Sequence, residues 1–274
     1  MTTVIRYSSL GDVVLAASVT GGLGEVTFRT LPRYFELVRR FPGVTGVLGP
    51  DDAPVAGPVV DLHHNLRSLR WSAHRRVARY DLARRMRVWF KTNPPPTVLS
   101  RYGAAAGVQP AEPPWFSPVE RGPALILAPG STHATKRWPY FAQLAAAWEG
   151  PVRVVGGPGD EAQVEPLGGA CEVGFDRTLA AFEGGAVMVA GDTGLMHLAV
   201  AVGVPVVALF GPTTSTDGFF AYPGRLGRAV EMPLSCRPCS RFGGAACPMG
   251  DHLCMTSLGV EHVLREARVH AGLT

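Results

Sequence analysis

The sequence predicts an α/β protein of two doubly wound, parallel-sheet domains facing a cleft. Short apolar runs alternate with helix-period patterns through both halves of its 274 residues, as in βαβ units. A proline-bearing stretch with Pro110, Pro113, Pro114 and Pro118, ending at Gly122-Pro123, separates the halves and reads as a linker. One unit is especially legible. Ala186-Val187-Met188-Val189-Ala190 leads into Gly191-Asp192-Thr193-Gly194-Leu195-Met196-His197, and Pro205-Val206-Val207-Ala208-Leu209-Phe210 closes the unit. That order is strand, tight turn, helix, strand. The predicted domains are residues 1–115 and 116–274. The second carries a cysteine-rich insertion at 236–254 and a terminal helix.

In chain order, Val4–Tyr7 reads as a strand, and Ser8 to Asp12 as a turn opening a helix over Val13–Val19. Val26–Arg29 is a second strand. Pro32 to Arg40 reads as a helix, with Tyr34, Leu37, Val38 and Phe41 spaced for one face. Val44–Leu48 and Val59–Leu62 are further strands. Asn65 to Lys91 reads as mostly helical and stops at Pro94-Pro95-Pro96. After the linker come a strand at Ala124–Ala128, a helix over Pro139–Trp148, a strand at Val152–Val155 and a terminal helix over Glu261–His270.

Hydrophobic residues at 46% and charged residues at 18% suit sizeable cores and argue against disorder. No apolar run reaches the roughly 18 residues of a membrane span. The start of the chain does not read as a signal peptide, so the expected compartment is the cytoplasm. The net charge of +4 is unevenly placed. Residues 61–91 hold nine of the 26 Lys/Arg and two of the 22 Asp/Glu, so this segment carries the whole positive excess. Such a field suits an anionic partner. For many of these arginines, a solvated helix face explains the pattern equally well.

The chemistry-bearing residues cluster where predicted strands end. Ser9, Gly11 and Asp12 follow the first strand. An Asp there often caps a helix, but it is also placed to act as a general base towards a hydroxyl. Ser131, Thr132, Lys136 and Arg137 follow the strand at 124–128. They offer hydroxyl donors and fixed positive charge, which suit a leaving diphosphate. Glu161, or its neighbour Asp160, follows Gly156-Gly157-Pro158-Gly159 and could accept from a ribose. Asp192, Thr193, Gly194 and His197 sit at a helix N-terminus, where a phosphate binds well. A histidine among small apolar residues is also often structural.

Cys236, Cys239, Cys247 and Cys254 fall in a C-x2-C-x7-C-x6-C pattern, and only Cys171 lies elsewhere. In a cytoplasmic chain that spacing predicts tetrahedral zinc or an iron–sulfur cluster before disulfides, with His252 as a substitute ligand. Four reduced thiols in a loop is the plainer alternative.

These motifs together resemble the ADP-heptose:lipopolysaccharide heptosyltransferase family (glycosyltransferase family 9). The resemblance is carried by Ser9-Leu10-Gly11-Asp12-Val13, Lys136-Arg137-Trp138-Pro139 and Gly191 to Leu198. It extends to Gly203-Val204-Pro205, Leu209 to Thr213, Asp61 to Ser68 and the cysteine-bearing tail. It implies a GT-B fold with two Rossmann-like domains, the acceptor in the first and the nucleotide-sugar in the second. Asp12 then matches the catalytic base, and Lys136 the lysine at the donor phosphates. Asp192 matches the residue holding donor-sugar hydroxyls, Thr193, Gly194 and His197 line the diphosphate, and Glu161 matches the ribose contact. On the acceptor side stand Ser9, Gly11, Asn65, Arg67 and Arg70. The implied reaction moves heptose from ADP-heptose to a Kdo-bearing lipid A core, with no catalytic cofactor. The implied partners are that anionic lipopolysaccharide precursor and, peripherally, the inner-membrane surface, with no nucleic acid. The same fold with another nucleotide-sugar is the nearest alternative. A metal-bearing, nucleic-acid-binding module is more distant, because the arginines and the cysteines fall in different predicted domains without a recognised nucleic-acid motif.

Overall fold

In the computed structural model the described residues are 1–63, 77–79, 97–217, 219–220, 222, 224 and 226–273. The chain divides into two units. One is Met1–Phe116 with Thr216–Ala221, and the other is Ser117–Ser215 with Tyr222–Thr274.

The first unit holds β1 (Thr2–Ile5), β2 (Val26–Arg29), β3 (Val44–Leu48), β4 (Val59–Asp61) and β5 (Val77–Arg79). They lie in the order β3-β2-β1-β4-β5, with every pairing parallel. The order reverses beside β1, so β1 and β4 flank the place where open α/β sheets take ligands. β1, β2 and β4 are covered on both faces, so that even Thr3, Thr27, Arg29 and Asp61 are buried. Val4, Ile5, Val26, Phe28, Val59 and Val60 are all buried. The helix Leu10–Thr20 follows β1 and buries nine of its 11 residues.

Two sequence expectations change here. Pro32 to Arg40 forms a 3-10 turn, Pro32–Tyr34, and a single helical turn, Phe35–Val38. Of the arginine-rich stretch expected to be helical, Val77–Arg79 is a strand paired with β4, and residues 64–76 and 80–96 lie outside the described residues. A helix that the sequence reading missed, Val98–Ala106, is capped by Thr97, whose Oγ1 accepts from the Ser100 N–H at 3.1 Å.

The second unit holds β6 (Ala124–Ala128), β7 (Val152–Gly156), β8 (Ala170–Cys171), β9 (Gly185–Gly191), β10 (Val206–Phe210) and β11 (Gly227–Glu231). Their order is β11-β10-β9-β6-β7-β8, again parallel throughout. All residues of β6, β9 and β10 are buried, which explains their unbroken apolar runs. One core face joins Leu125, Val187, Val207 and Trp138 to Val263 and Ala267 of the terminal helix Val260–Ala271. Trp138 belongs to this core, its indole N–H donating to the Leu258 carbonyl at 2.9 Å. Among the described residues no helix is long and apolar enough to cross a membrane.

Candidate functional site

In the first unit, Asp12 lies three residues into the helix that follows β1. Ser9, not Asp12, is the cap, and the Asp12 carboxylate reaches back over it. Oδ2 accepts from the Ser9 hydroxyl at 2.9 Å and, at 3.4 Å, from its N–H. The same Oδ2 meets the Arg6 guanidinium at 2.7 Å, and the Tyr102 hydroxyl stands 3.3 Å from Oδ1. Arg6 also donates to the Leu62 carbonyl at 2.5 Å, which ties β1 to the end of β4. The carboxylate is therefore held from three elements, at the end of the strand where the sheet order reverses.

His63 stands just past β4. Its N–H donates to Asp61 Oδ1 at 3.0 Å, and its ring packs edge-on against Tyr7 at 5.1 Å. Its pKa falls from the ordinary 6.5 to about 4. Burial is the main cause and the Arg6 cation the second, against the opposing pull of Asp61, Asp12 and the Ser8 carbonyl. His63 is thus neutral in the folded protein at pH 7. Between pH 6.5 and 4 the unfolded chain binds the proton first. The stability this histidine contributes is whole above about 6.5 and is lost as pH falls through that window. Denaturant melts at pH 7 and pH 5 are expected to differ less in His63→Gln than in wild type. Equal pH dependence in both proteins would remove His63 from the account.

Of the acceptor-side residues expected from sequence, Ser9 and Gly11 lie beside Asp12. Asn65, Arg67 and Arg70 lie outside the described residues.

In the second unit, Lys136 Nζ bonds Asp192 Oδ2 at 2.6 Å and the Asp192 carbonyl at 3.1 Å, both side chains being mostly buried. Thr213 Oγ1 donates to the same Oδ2 at 2.9 Å. Three turns, after β6, β9 and β10, so converge on one carboxylate. Gly191 permits this closeness, since a Cβ there would lie 3.1 Å from the Lys136 carbonyl. Thr193, Gly194 and His197 follow at the start of the helix Gly194–Ala201. The Thr193 hydroxyl is buried without a hydrogen-bond partner among the described residues, at the helix end whose N–H groups favour an anion. His197 is buried, and its Nδ1 lies 2.6 Å from the Tyr222 hydroxyl.

The remaining predicted donor residues sort differently. Ser131 is buried, its hydroxyl accepting from the His133 N–H at 3.2 Å. Arg137 donates to the Ser131 carbonyl at 2.9 Å and so shapes its own loop. Thr132 is exposed. Glu161 is exposed and its carboxylate accepts from the Gly159 N–H, which lowers its pKa. Asp160 is the carboxylate pressed against the Gly130 turn, where a Cβ would come within 2.1 Å of its Cγ. Burial raises the Asp160 pKa, against the Gly157 N–H bond that lowers it.

The cysteine segment lends the metal expectation no support among the described residues. Cys236, Cys239, Cys247 and Cys254 are free thiols, one exposed, one buried and two between. Among the described residues no three His, Cys, Asp or Glu side chains are arranged to hold a metal ion. Burial also pushes the Cys254 thiol up, against the nearby Arg237 cation, and so favours its neutral form.

The segment instead braces the two loops of the charged cluster. Arg237, between Cys236 and Cys239, donates to Phe210 O at 3.0 Å, Thr213 O at 2.7 Å and Glu231 Oε2 at 2.9 Å. It also reaches the Gly211 and Met232 carbonyls. Gly244 exchanges bonds with Thr135, and His252 Nε2 lies 2.7 Å from the Thr135 carbonyl, next to Lys136.

Comparison with known proteins decides the family. The model of glycosyltransferase family 9 (heptosyltransferase) matches residues 93–242, more than half of the chain. The chain belongs to glycosyltransferase family 9. It is 33% identical over 82 residues to lipooligosaccharide heptosyltransferase 2 of Campylobacter jejuni, a match over 30% of this chain and 24% of that protein. The chain thus matches about a quarter of this curated relative's length. Among solved structures it resembles a family 9 glycosyl transferase from Veillonella parvula, with a TM-score of 0.76 at 18% identity over 100% of this chain and 97% of that one. E. coli ADP-heptose lps heptosyltransferase II superposes with a TM-score of 0.72 at 18% identity, covering 98% of each chain. These likenesses establish the fold, two parallel-sheet α/β domains of the GT-B class.

Proposed function

We propose that this family 9 chain is an inverting heptosyltransferase that moves heptose from ADP-heptose to a hydroxyl of a lipopolysaccharide inner-core acceptor. The observation that carries the reading is the Lys136–Asp192–Thr213 cluster beside the buried hydroxyl of Thr193, which has no hydrogen-bond partner among the described residues. It gathers a cation, a hydroxyl and helix N–H groups where β9 ends, which is the chemistry a sugar diphosphate needs. A protein matched in fold is named for ADP-heptose and lipopolysaccharide, which supports this donor and acceptor.

In this mechanism Asp12 takes the proton of the acceptor hydroxyl as that oxygen attacks the anomeric carbon. The bond from that carbon to the diphosphate oxygen breaks, the configuration inverts, and ADP leaves with the electron pair. Lys136 Nζ, with the N–H groups at Thr193-Gly194 and His197, meets the charge that develops on the leaving diphosphate. Asp192, relieved of part of its bond to Lys136, accepts from donor-sugar hydroxyls. Asp160 or Glu161 meets the ribose. The arginines of residues 61–91, with Asn65, meet the anionic acceptor. Because such an acceptor is anchored in lipid, the enzyme works peripherally, at the cytoplasmic surface of the inner membrane.

The test is a thermal-shift titration with ADP, UDP, GDP and their sugar conjugates. Selective stabilisation by ADP and ADP-heptose is the expected result. Preference for UDP or GDP would discard the heptose donor. Lys136→Met should weaken ADP binding about tenfold or more, as expected for one lost charge-assisted hydrogen bond. An unaltered ADP affinity in Lys136→Met would place the diphosphate elsewhere.

A further inference from the structure

Tyr222 belongs to none of the motifs, yet its phenol makes a close polar contact with the helix that begins at Gly194. Its oxygen lies 2.6 Å from Nδ1 of His197, and the two rings meet edge to face at 5.9 Å and 86°. Both side chains are buried. Burial drives the tyrosine pKa well above 10, and the Asp192 charge pushes the same way, so the phenol keeps its proton.

An imidazole beside a diphosphate has two neutral forms with opposite consequences. With its proton on Nδ1 it offers a lone pair at Nε2, and the diphosphate oxygens are themselves acceptors. With its proton on Nε2 it offers a donor. The partner of one ring nitrogen selects between the forms, much as outer partners fix the tautomer of metal-bound histidines. A protonated phenol 2.6 Å from Nδ1 is a suitable partner, because it can donate to that nitrogen.

We propose that Tyr222 is a positioning residue for donor binding: its hydroxyl donates to Nδ1 and holds His197 as the Nε2–H tautomer, a hydrogen-bond donor for the diphosphate of a nucleotide-sugar. The inference rests on the nucleotide reading above. Tyr222 never touches the donor and acts through the proton position of its neighbour. Its place near Asp192 also puts it within electrostatic reach of the Lys136–Asp192 pair.

The experiment uses the full chain with 15N-labelled histidine. Nitrogen–proton correlation spectra are recorded for wild type and Tyr222→Phe, with His197→Gln to assign the ring. ADP affinity is measured by calorimetry on the same samples and on the double variant. Phe keeps the ring packing and removes only the hydroxyl. Wild type is expected to show Nε2–H with an accepting Nδ1, and Tyr222→Phe a mixture of tautomers with ADP bound several-fold more weakly. A glutamine amide has no tautomer to select, so in the His197→Gln background Tyr222→Phe should not weaken ADP further.

A wild-type ring protonated on Nδ1 overturns the proposal, as does Tyr222→Phe with unchanged tautomer and affinity. Equal additive losses in the double variant overturn it too, because they mean that the Tyr222 hydroxyl acts independently of His197. Wild type that binds no ADP is a separate failure, since it removes the nucleotide reading itself and with it the diphosphate contact.

Discussion

Asp12→Asn is expected to lower sugar transfer about a thousandfold, within the usual range for a lost general base, and to leave ADP affinity unchanged. The amide keeps the size of the carboxylate and an oxygen for Ser9 and Arg6, but it cannot take a proton from a hydroxyl. The alternative role is structural. Asp12 pairs with Arg6 at 2.7 Å and closes over the helix start through Ser9, so a purely structural account predicts a damaged fold instead. The two accounts separate on three readouts: turnover with a Kdo-bearing lipid A acceptor, ADP affinity by calorimetry, and the denaturation midpoint. Lost turnover with the other two near wild type supports the base. Near-wild-type turnover would remove Asp12 from the chemistry. A parallel loss of ADP affinity would reassign it to donor binding.

The candidate clusters at strand ends are legible because they are local. Glycine, a small polar residue and a charge after an apolar run specify a strand–turn–helix unit within a few residues, and Asp12, Lys136 and Asp192 all come from such units. The pairing of Lys136 with Asp192 was not written in either motif. It follows from β6 and β9 being neighbours in the sheet, which only the register shows. The same limit hid the Arg6–Asp12 pair, the Tyr102 contact and the approach of Tyr222 to His197, each a meeting of residues from different elements. Asp160 and Glu161 are adjacent, so a preference between them could not come from composition. The turn after β7 tells them apart by aiming one carboxylate at Gly130 and the other at the Gly159 amide. In the arginine-rich stretch, the helical pattern outweighed Val77 to Arg79, too short a run to read as a strand without β4 to pair with. The cysteine spacing points to a metal site and says nothing of Arg237 between the first two thiols, whose bonds run to carbonyls of Phe210 and Thr213 far off in sequence.

That arginine carries the second large effect. Arg237→Met is expected to destabilise the second unit by about 3–5 kcal/mol, the usual cost of removing one partner from a buried charge network. The guanidinium is almost wholly buried, and four carbonyls and the Glu231 carboxylate share its donors. Methionine fills much of the volume but leaves these acceptors without a donor and Glu231 without its counter-charge. The effect reaches the site. Phe210, Gly211 and Thr213 lie on the chain that delivers Thr213 Oγ1 to Asp192, and Glu231 also accepts from the Ser215 hydroxyl at 2.6 Å. ADP affinity is therefore expected to fall along with stability. Arg237→Lys separates charge from geometry: an ammonium restores the counter-charge to Glu231 but cannot span carbonyls on both sides of the loop, so it should recover only part of the loss. Urea denaturation of the three proteins, read beside ADP calorimetry, measures both effects. A loss under about 1 kcal/mol in Arg237→Met, below the cost of even one orphaned buried acceptor, would mean that the loop holds its shape without the arginine and that the cysteine segment has some other purpose.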